Sequence, residues 1–245
     1  MAKANAVLSV RGVTKRFGGL VAVNSMDFDV AEHEVLGLIG PNGSGKTTMM
    51  NLISGAFGVT SGHISLQGAR ISGLSAQAIN RRGIGRTFQL VRLLPSLSVL
   101  ENVIAGAVFG HRRRWGIDAE DYAHKMLVRV GLESMAYAPV TSLTYIDQKR
   151  LELARVLASD PEVLLLDEWL AGLNPTELET GIELIHGLRA DGRTVILVEH
   201  VMDAIRSLCD RCVVMNSGAK IAEGTPGEVL ADREVIRAYL GDDDA

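Results

Sequence analysis

Basic charge, long apolar runs and cysteine are all scarce in this sequence. Its 25 Lys and Arg residues face 29 Asp and Glu residues, which gives a formal net charge of -4 at pH 7. Proteins that bind duplex nucleic acid usually carry a basic surface that releases counterions on binding. The composition therefore argues against a nucleic-acid partner.

The sequence contains no run of about 18 consecutive apolar residues, so it predicts no membrane-spanning helix. Its N-terminus also lacks the charged segment, apolar stretch and cleavage site of a secretory signal. We therefore expect the chain to remain in the cytosol.

Cysteine occurs only as Cys209 and Cys212. Their C-x-x-C spacing could belong to half of a metal site or to a redox pair. However, no second pair completes a zinc cluster, and no thioredoxin-like sequence surrounds them. We interpret both as reduced thiols in the core or at its boundary.

Apolar residues are plentiful, at 47% of the 245 residues, which is enough for a full core. We expect one compact domain, with room for a subdomain. Apolar and polar residues alternate over about the first thirty positions, which predicts antiparallel strands. Between about residue 90 and residue 158 apolar positions recur three and four apart, which predicts helices.

Strands return after the helical region. The runs EVLLLDE and TVILVEH are continuously apolar, as in parallel strands buried on both faces, and NPTELETGIELIHGLRADG between them supplies a crossover helix. The sequence thus predicts a βαβ unit and an α/β fold. A hairpin in CVVMNSGAKIAEG, a helix from near Pro226 and a frayed acidic tail, GDDDA, complete the prediction.

The stretch GPNGSGKT, residues 40–47, matches the phosphate-binding P-loop pattern G-x-x-x-x-G-K-[ST] and lies after an apolar strand and before a helix. Backbone N–H groups of such a loop surround phosphate oxygens, and the helix dipole adds positive potential. Lys46 is expected to reach the β- and γ-phosphates, and Thr47 to ligate Mg²⁺. The candidate nucleotide-binding residues are Gly40, Pro41, Asn42, Gly43, Ser44, Gly45, Lys46, Thr47 and Thr48.

Two adjacent acids end the run EVLLLDE. We expect Asp167 to stand at the tip of a strand that neighbours the P-loop strand, where its carboxylate can hold Mg²⁺ directly or through water. Glu168, one residue further on, can orient or deprotonate an attacking water. Taken alone, the same pair could be a solvated strand end with two exposed acids.

Together these motifs resemble the nucleotide-binding subunit of an ATP-binding cassette (ABC) transporter over nearly the whole chain. The family's order is present: an aromatic residue, GPNGSGKTT, a glutamine in RTFQ, a signature helix, LLLDE and a histidine in LVEH. The resemblance implies a P-loop NTPase (RecA-like) core with an N-terminal antiparallel β subdomain and an inserted helical subdomain. It implies a single domain over 1–245, with the core at 1–88 and 160–245 and the helical subdomain at 89–159.

The resemblance also implies roles for three residues that would be unremarkable alone. Phe17 would stack on adenine, Gln89 would sense the γ-phosphate and Mg²⁺ and link to the membrane subunits, and His200 would contact the γ-phosphate. The implied catalytic set is Glu168, His200, Gln89 and Lys46, and the implied metal set is Thr47, Gln89 and Asp167. In isolation Phe17 could be a packed aromatic, Gln89 a loop residue and His200 a satisfied histidine.

The finer resemblance is to the branched-chain amino acid group of ABC importers, through TKRFGGLVAVN, RTFQLVRLLPSLSVLENV, AGLNPTE and AEGTP. It implies an ATPase that uses ATP and Mg²⁺, with a second, non-identical ABC ATPase and two membrane permeases as partners and a periplasmic or extracellular solute-binding protein as an indirect partner. It places the chain peripherally at the cytoplasmic face of the inner membrane. A urea or amide importer and a soluble, non-transport ABC ATPase remain as alternatives.

The chain departs from the family at the signature. ABC ATPases work as head-to-tail dimers in which one subunit's signature, usually L-S-x-G-Q, faces the other's P-loop. Ile146 replaces the glycine, and its β-branched side chain should block close approach of the helix N-terminus to phosphate. Asp147 replaces the glutamine and brings a negative charge towards ATP. At about 5 Å and an effective dielectric of about 20, the repulsion per unit charge is on the order of 3 kcal/mol.

Thr144 and Asp147 also have the spacing of a capping box, so this helix can satisfy its own first donors. We therefore expect an asymmetric heterodimer. This chain's P-loop and acids should hydrolyse ATP against an intact partner signature, while the partner's P-loop should bind ATP but turn it over poorly.

Overall fold

The computed structural model describes residues 6–240, and the predicted acidic tail, 241–245, lies outside them. The strands are Ala6–Phe17 (β1), Leu20–Ala31 (β2), Val35–Ile39 (β3), Ser61–Leu66 (β4), Ala69–Arg70 (β5), Ile84–Arg86 (β6), Val163–Asp167 (β7), Thr194–Val198 (β8), Arg211–Asn216 (β9) and Ala219–Gly224 (β10). The α-helices are Lys46–Ile53 (α1), Ala76–Asn80 (α2), Val99–Phe109 (α3), Gly116–Val130 (α4), Tyr145–Ala158 (α5), Pro175–Ala190 (α6), Met202–Leu208 (α7), Pro226–Ala231 (α8) and Arg233–Leu240 (α9).

A six-stranded sheet forms the centre of the fold, in the order β10-β9-β3-β8-β7-β6. All its pairs are parallel except β9 with β10. Every residue of β3, β7 and β8 is buried, as continuous apolar runs require. The predicted α/β class and the βαβ unit of β7, α6 and β8 are confirmed.

The expected position of Asp167 is wrong in one respect. β7 does not neighbour the P-loop strand β3, because β8 lies between them and pairs with both. Strands that are buried on both faces have nearly the same apolar sequence pattern. The pattern therefore does not predict the order of these strands in the sheet. The carboxyl ends of the three parallel strands still meet at one edge of the sheet.

A second, antiparallel sheet has the order β2-β1-β4-β5. Its inner face packs on α1 and on one face of the central sheet in a shared apolar core that includes Val10, Met26, Met50 and Leu165. This arrangement confirms the expected N-terminal antiparallel β subdomain and places β2 above the loop that joins β3 to α1.

Three helices, α3, α4 and α5, pack around a core of their own. Leu151 and Ala154 of α5 face this core, while Leu153 and Leu157 face the core beneath the central sheet. α5 is therefore the helix that joins the helical layer to the sheet. The exact limits of a subdomain at 89 and 159 stay a prediction.

Cys209 and Cys212 are both buried, and neither forms a disulfide. Their sulfurs lie against Gly37 of β3, where a Cβ atom would come within 2.9 Å of one sulfur and 3.0 Å of the other. The interpretation of these residues as core thiols is confirmed. Within residues 6–240, no helix has both the length and the apolar character that a membrane span requires.

Candidate functional site

Two glycines allow the loop after β3 to fold tightly. Gly40 has a φ of 146°, and a Cβ there would lie 2.0 Å from the carbonyl oxygen of Met215. Gly45 has a φ of 106°, and a Cβ there would lie 2.5 Å from the carbonyl oxygen of Ala22. Both positions combine a backbone conformation that L side chains rarely adopt with contact to another backbone segment, so only glycine fits.

The loop ends at the N-terminus of α1, where Gly45 is the N-cap. In the described chain, no side chain caps this helix and no acidic residue lies in its first turn. Its first N–H groups and the positive end of its dipole therefore remain directed toward the loop, which is the arrangement that binds phosphate.

Lys46 begins α1 and is buried. Its ammonium donates to the carbonyl oxygens of Gly40 at 2.8 Å and Pro41 at 2.9 Å, which leaves one of its three protons for another acceptor. Burial lowers the pKa of Lys46, and the nearby charges of Glu168 and Asp167 act in the opposite direction. A phosphate bound in the loop could therefore accept a hydrogen bond from the remaining proton of the Lys46 ammonium and take the place of the water that burial removes.

A cavity of about 520 Å³ lies over the loop. It contains almost all of the predicted phosphate-binding residues together with Glu168, so the structure brings the loop and this acid into one site. Its lining consists of Leu20, Val21, Ala22, Asn42, Gly43, Ser44, Gly45, Lys46, Thr47, Thr48, Glu168, Ser217 and Gly218.

Two segments of this lining were missed by sequence reasoning: residues 20–22 at the start of β2, and the turn at Ser217 and Gly218. Ser217 and Gly218 form the tight turn between β9 and β10, and Gly218 donates its N–H to the carbonyl of Ser44 at 2.9 Å. The carbonyl of Gly218 in turn accepts the N–H of Asn24 at 2.8 Å. The sequence marked this turn only as a hairpin, because the signal that places it beside the loop is the pairing of β9 with β3.

Asp167 is buried at the end of β7 and pairs with Arg86 of β6 at 2.7 Å through its Oδ2 atom. The same guanidinium donates to Asn51 of α1 and to Ser54, the C-cap of that helix. Among the residues that the structure describes, none hydrogen bonds the other carboxylate oxygen, Oδ1, although it is buried. A buried carboxylate oxygen without a partner is a suitable ligand for Mg²⁺, which prefers hard oxygen donors.

Glu168 follows immediately and turns the chain, with a φ of 50°. Its carboxylate accepts a hydrogen bond from Nε2 of Gln89 at 2.6 Å and lies 3.7 Å from Nδ1 of His200. Three residues predicted from distant motifs therefore meet at the edge of the cavity. Glu168 also donates its backbone N–H to Val198 at 2.8 Å, which ties the turn to β8.

Phe17 lies outside the residues that line the cavity, at the end of β1 beside the turn that leads to Leu20. It is 42% exposed. Its ring packs edge-to-face on Phe57 with centroids 5.3 Å apart, and Nζ of Lys15 lies 4.9 Å from its centroid. An exposed aromatic face at this position can stack on a base, and Phe57 is an aromatic neighbour that the motifs did not indicate.

The signature segment forms the start of α5. Thr144 is the N-cap and accepts the N–H of Asp147 at 3.3 Å, as the spacing predicts. The reciprocal bond of a capping box, from the Thr144 N–H to the Asp147 side chain, is not formed; the Asp147 carboxylate accepts the Thr144 hydroxyl at 2.7 Å and the Arg150 guanidinium at 3.3 Å. Arg150 therefore offsets part of the charge that Asp147 presents at this end of the helix.

Comparisons with known proteins agree with this geometry. Residues 23–171 match the family model described as ABC transporter, and residues 219–245 match one described as branched-chain amino acid ATP-binding cassette transporter. The chain is 42% identical over 250 residues to the high-affinity branched-chain amino acid transport ATP-binding protein LivG of Salmonella typhimurium, covering 96% of this chain and 98% of that protein. It is 41% identical to BraF of Pseudomonas aeruginosa with the same coverage.

Solved structures are also similar. The ADP conformation of MJ1267, an ATP-binding cassette of an ABC transporter, superposes with a TM-score of 0.86 at 27% identity and covers 97% of this chain and 99% of its own. The dimeric, post-hydrolysis state of the ATP-binding cassette MJ0796 bound to ADP and Pi superposes with a TM-score of 0.80 at 28% identity, covering 89% of this chain and 98% of its own.

Proposed function

The chain belongs to the ATP-binding subunits of ABC transporters, and from that premise we propose that it hydrolyses ATP to drive an importer of branched-chain or related amino acids. The observation that carries the catalytic assignment is Glu168, which lines the cavity over the P-loop and bonds Gln89 at 2.6 Å. The match of residues 219–245 and the names of the relatives support the solute class.

The residues of this chain divide the work of phosphoryl transfer to water. The loop amides and the first turn of α1 bind the phosphate tail, and Lys46 supplies a positive charge beside it. Glu168 accepts a proton from the attacking water, or orients it, while Gln89 and His200 hold the Glu168 carboxylate in place from two sides. Phe17 stacks on adenine at the outer end of the cavity.

Asp167, Thr47 and Gln89 are the proposed contacts for Mg²⁺. The fit rests on the buried Oδ1 atom of Asp167, which none of residues 6–240 hydrogen bonds, and on Thr47, a hydroxyl-bearing residue that lines the cavity. When bound, the ion neutralises charge on the phosphate oxygens. Arg86 keeps the other oxygen of Asp167 engaged, so a single carboxylate oxygen remains for the ion.

The working unit in this proposal is a heterodimer with a second, non-identical ABC ATPase. The P-loop, Asp167 and Glu168 of this chain complete a hydrolytic site with the partner's signature. Ile146 and Asp147 of this chain face the partner's P-loop, where close approach to phosphate is restricted. Arg150 reduces the charge penalty of Asp147, so the bulk of Ile146 is the main obstacle there.

The complex is completed by two membrane permeases, with which the chain associates peripherally at the cytoplasmic face of the inner membrane, and a solute-binding protein acts on the other side. Reconstitution of the chain with its partner ATPase and permeases in liposomes, with the solute-binding protein supplied on the side opposite the ATPases, tests the whole proposal. ATP-dependent uptake of leucine, isoleucine or valine supports the solute class, whereas uptake of urea or amides alone supports the alternative importer. Brisk hydrolysis by the chain alone, with no gain on mixing with the partner, contradicts the heterodimer.

A further inference from the structure

A buried lysine connects α5, the signature helix, to the turn formed by residues 168–171 of the same chain, the catalytic turn. Lys149 of α5 is buried, with 2% of the residue exposed. Its Nζ atom donates to the carbonyl oxygens of Trp169 at 2.9 Å and Ala171 at 2.7 Å, and it lies 3.5 Å from that of Glu168. The Trp169 indole returns a hydrogen bond to the Lys149 carbonyl at 3.2 Å, so the two segments are bonded in both directions.

A buried glutamate, one residue beyond the end of β8, completes this cluster. Glu199 is 1% exposed and accepts the N–H of Leu170 at 2.6 Å through Oε1. In the part of the chain that the structure describes, its Oε2 atom has no hydrogen-bond partner. The charge of Glu199 favours the protonated form of Lys149, opposing the burial that lowers the lysine's pKa. Glu199 is also the residue immediately before His200.

The catalytic turn needs such support because its first residue is strained. Glu168 has a φ of 50°, in the left-handed region that non-glycine residues seldom occupy. Conformations of this kind persist only where surrounding contacts determine them. The Lys149 ammonium and the Glu199 carboxylate hold consecutive backbone groups of the turn, and the direction of the Glu168 side chain follows from the path of that turn.

We propose that Lys149 is a positioning residue for Glu168, and that with Glu199 it ties the catalytic turn to the signature helix of its own chain. The proposal rests on the hydrolytic function proposed above. Lys149 lies about one helical turn after the first residue of α5, Tyr145. A shift of the signature end against the partner's nucleotide therefore moves the lysine that fixes this chain's own catalytic carboxylate.

The test compares Lys149→Met, Lys149→Arg and the double variant Lys149→Met/Glu199→Gln in the full chain mixed with its partner ATPase. Lys149→Met leaves the Glu199 charge buried without its counterion and can reduce folding, whereas the double variant removes both charges and keeps the fold. Lys125→Met is the control, since Lys125 is an exposed residue of α4. The measurements are kcat, the Kd for MgATP and the folded fraction.

We expect the double variant to lower kcat by about 100-fold while the Kd for MgATP changes by less than about 3-fold, because a misplaced catalytic group affects the reaction and not nucleotide binding. Lys149→Arg restores part of the rate, since it keeps a donor and a charge. A kcat equal to that of Lys125→Met, or a loss of kcat no larger than the loss of folded protein, overturns the proposal.

A second measurement does not depend on ATPase activity. In a Trp115→Phe background Trp169 is the remaining tryptophan, and its indole bonds Lys149 directly. Removal of Lys149 shifts its emission to longer wavelength as the turn loosens, whereas Lys125→Met leaves it unchanged. If the wild-type complex shows no hydrolysis, the proposed function fails, and the emission of Trp169 still decides whether Lys149 holds the turn. Unchanged emission in the double variant overturns the positioning role.

Discussion

Arg86 donates to Oδ2 of Asp167 at 2.7 Å, while Oδ1 of the same carboxylate is buried and lacks a hydrogen-bond partner in the region spanning residues 6–240. The guanidinium side chain is 6% exposed and the carboxylate side chain 2% exposed, so water screens the pair little. The pairing orients the acid and leaves one oxygen for a cation. Sequence motifs identified Asp167 but not the arginine that orients it.

Removal of Arg86 should destabilise the protein because it leaves a buried, uncompensated carboxylate. We expect Arg86→Met to lower the free energy of unfolding by about 3 kcal/mol, measured by urea denaturation. The double variant Arg86→Met/Asp167→Asn should recover part of this loss, since it removes the charge as well. Arg237→Met, at an exposed position of α9, is the control. An unfolding free energy for Arg86→Met equal to that of the control would contradict the argument.

Replacement of Glu168, the proposed general base, should separate nucleotide binding from hydrolysis. We expect Glu168→Gln to lower the ATPase rate of the complex by about 100-fold or more while it retains MgATP, because the amide cannot take a proton from water. Glu183→Gln, an exposed position on α6, should leave the rate unchanged. The two readouts are phosphate release and equilibrium binding of labelled ATP. Persistent hydrolysis in Glu168→Gln would remove Glu168 from the catalytic role.

A methyl group at Gly45 should lower the free energy of unfolding by more than the strain of a positive φ alone. We expect Gly45→Ala to lower the free energy of unfolding by about 1–3 kcal/mol more than Gly68→Ala does, because its Cβ meets the carbonyl of Ala22 at 2.5 Å. Gly68 has a similar positive φ of 77°, but its Cβ would meet no described atom within 4 Å, so it isolates the steric effect. Equal losses in chemical denaturation would show that the loop yields to the methyl group.

Burial raises the pKa of Glu199 to about 7 from an ordinary value of 4.5. The folded state then binds more protons than the unfolded state between these values, so Glu199 makes stability fall as pH rises from about 4.5 to about 7, by up to about 3 kcal/mol. Glu199→Gln should lack this component of the slope. The check is the difference between wild-type and variant unfolding free energies at pH 5, 6, 7 and 8. A difference that stays constant across this range would contradict the raised pKa.

In the proposed heterodimer, restoration of the signature should activate the partner's site. Ile146→Gly with Asp147→Gln restores the usual signature at the two altered positions. We expect hydrolysis by the heterodimer to rise by up to about twofold as a second site becomes active, and the chain alone to gain activity. Asp147→Gln by itself should do less, because Arg150 already offsets this charge. No gain in the double variant would mean that another residue limits the partner's site.

The elements of the site that the sequence predicted are those encoded in consecutive residues. The P-loop, the acid pair and the crossover helix α6 each combine residue type with local spacing, so short-range rules apply to them. Gln89 and His200 were placed only by resemblance, since a lone polar residue carries no local signal.

The elements that the sequence did not predict depend on contacts between distant segments. The insertion of β8 between β3 and β7, the turn at Ser217 and Gly218 and the buried pair of Arg86 with Asp167 all depend on which strands are adjacent. Lys149 lies just after the signature segment in the sequence. Its burial against the catalytic turn, however, depends on how α5 packs on the sheet. A polar residue at a helix position gives no sign of a distant backbone that it bonds.

The strand order also sets a length. With β8 between them, the ends of β3 and β7 are two strand spacings apart, or about 9.5 Å, instead of the single spacing of adjacent strands. In the proposed mechanism, the terminal phosphate and the attacking water lie between the P-loop, which follows β3, and Glu168, which follows β7. β8 therefore sets the distance between the P-loop and Glu168 through its backbone hydrogen bonds to both strands. A change that shortens β8 or shifts its register would alter this distance while leaving the site residues themselves unchanged.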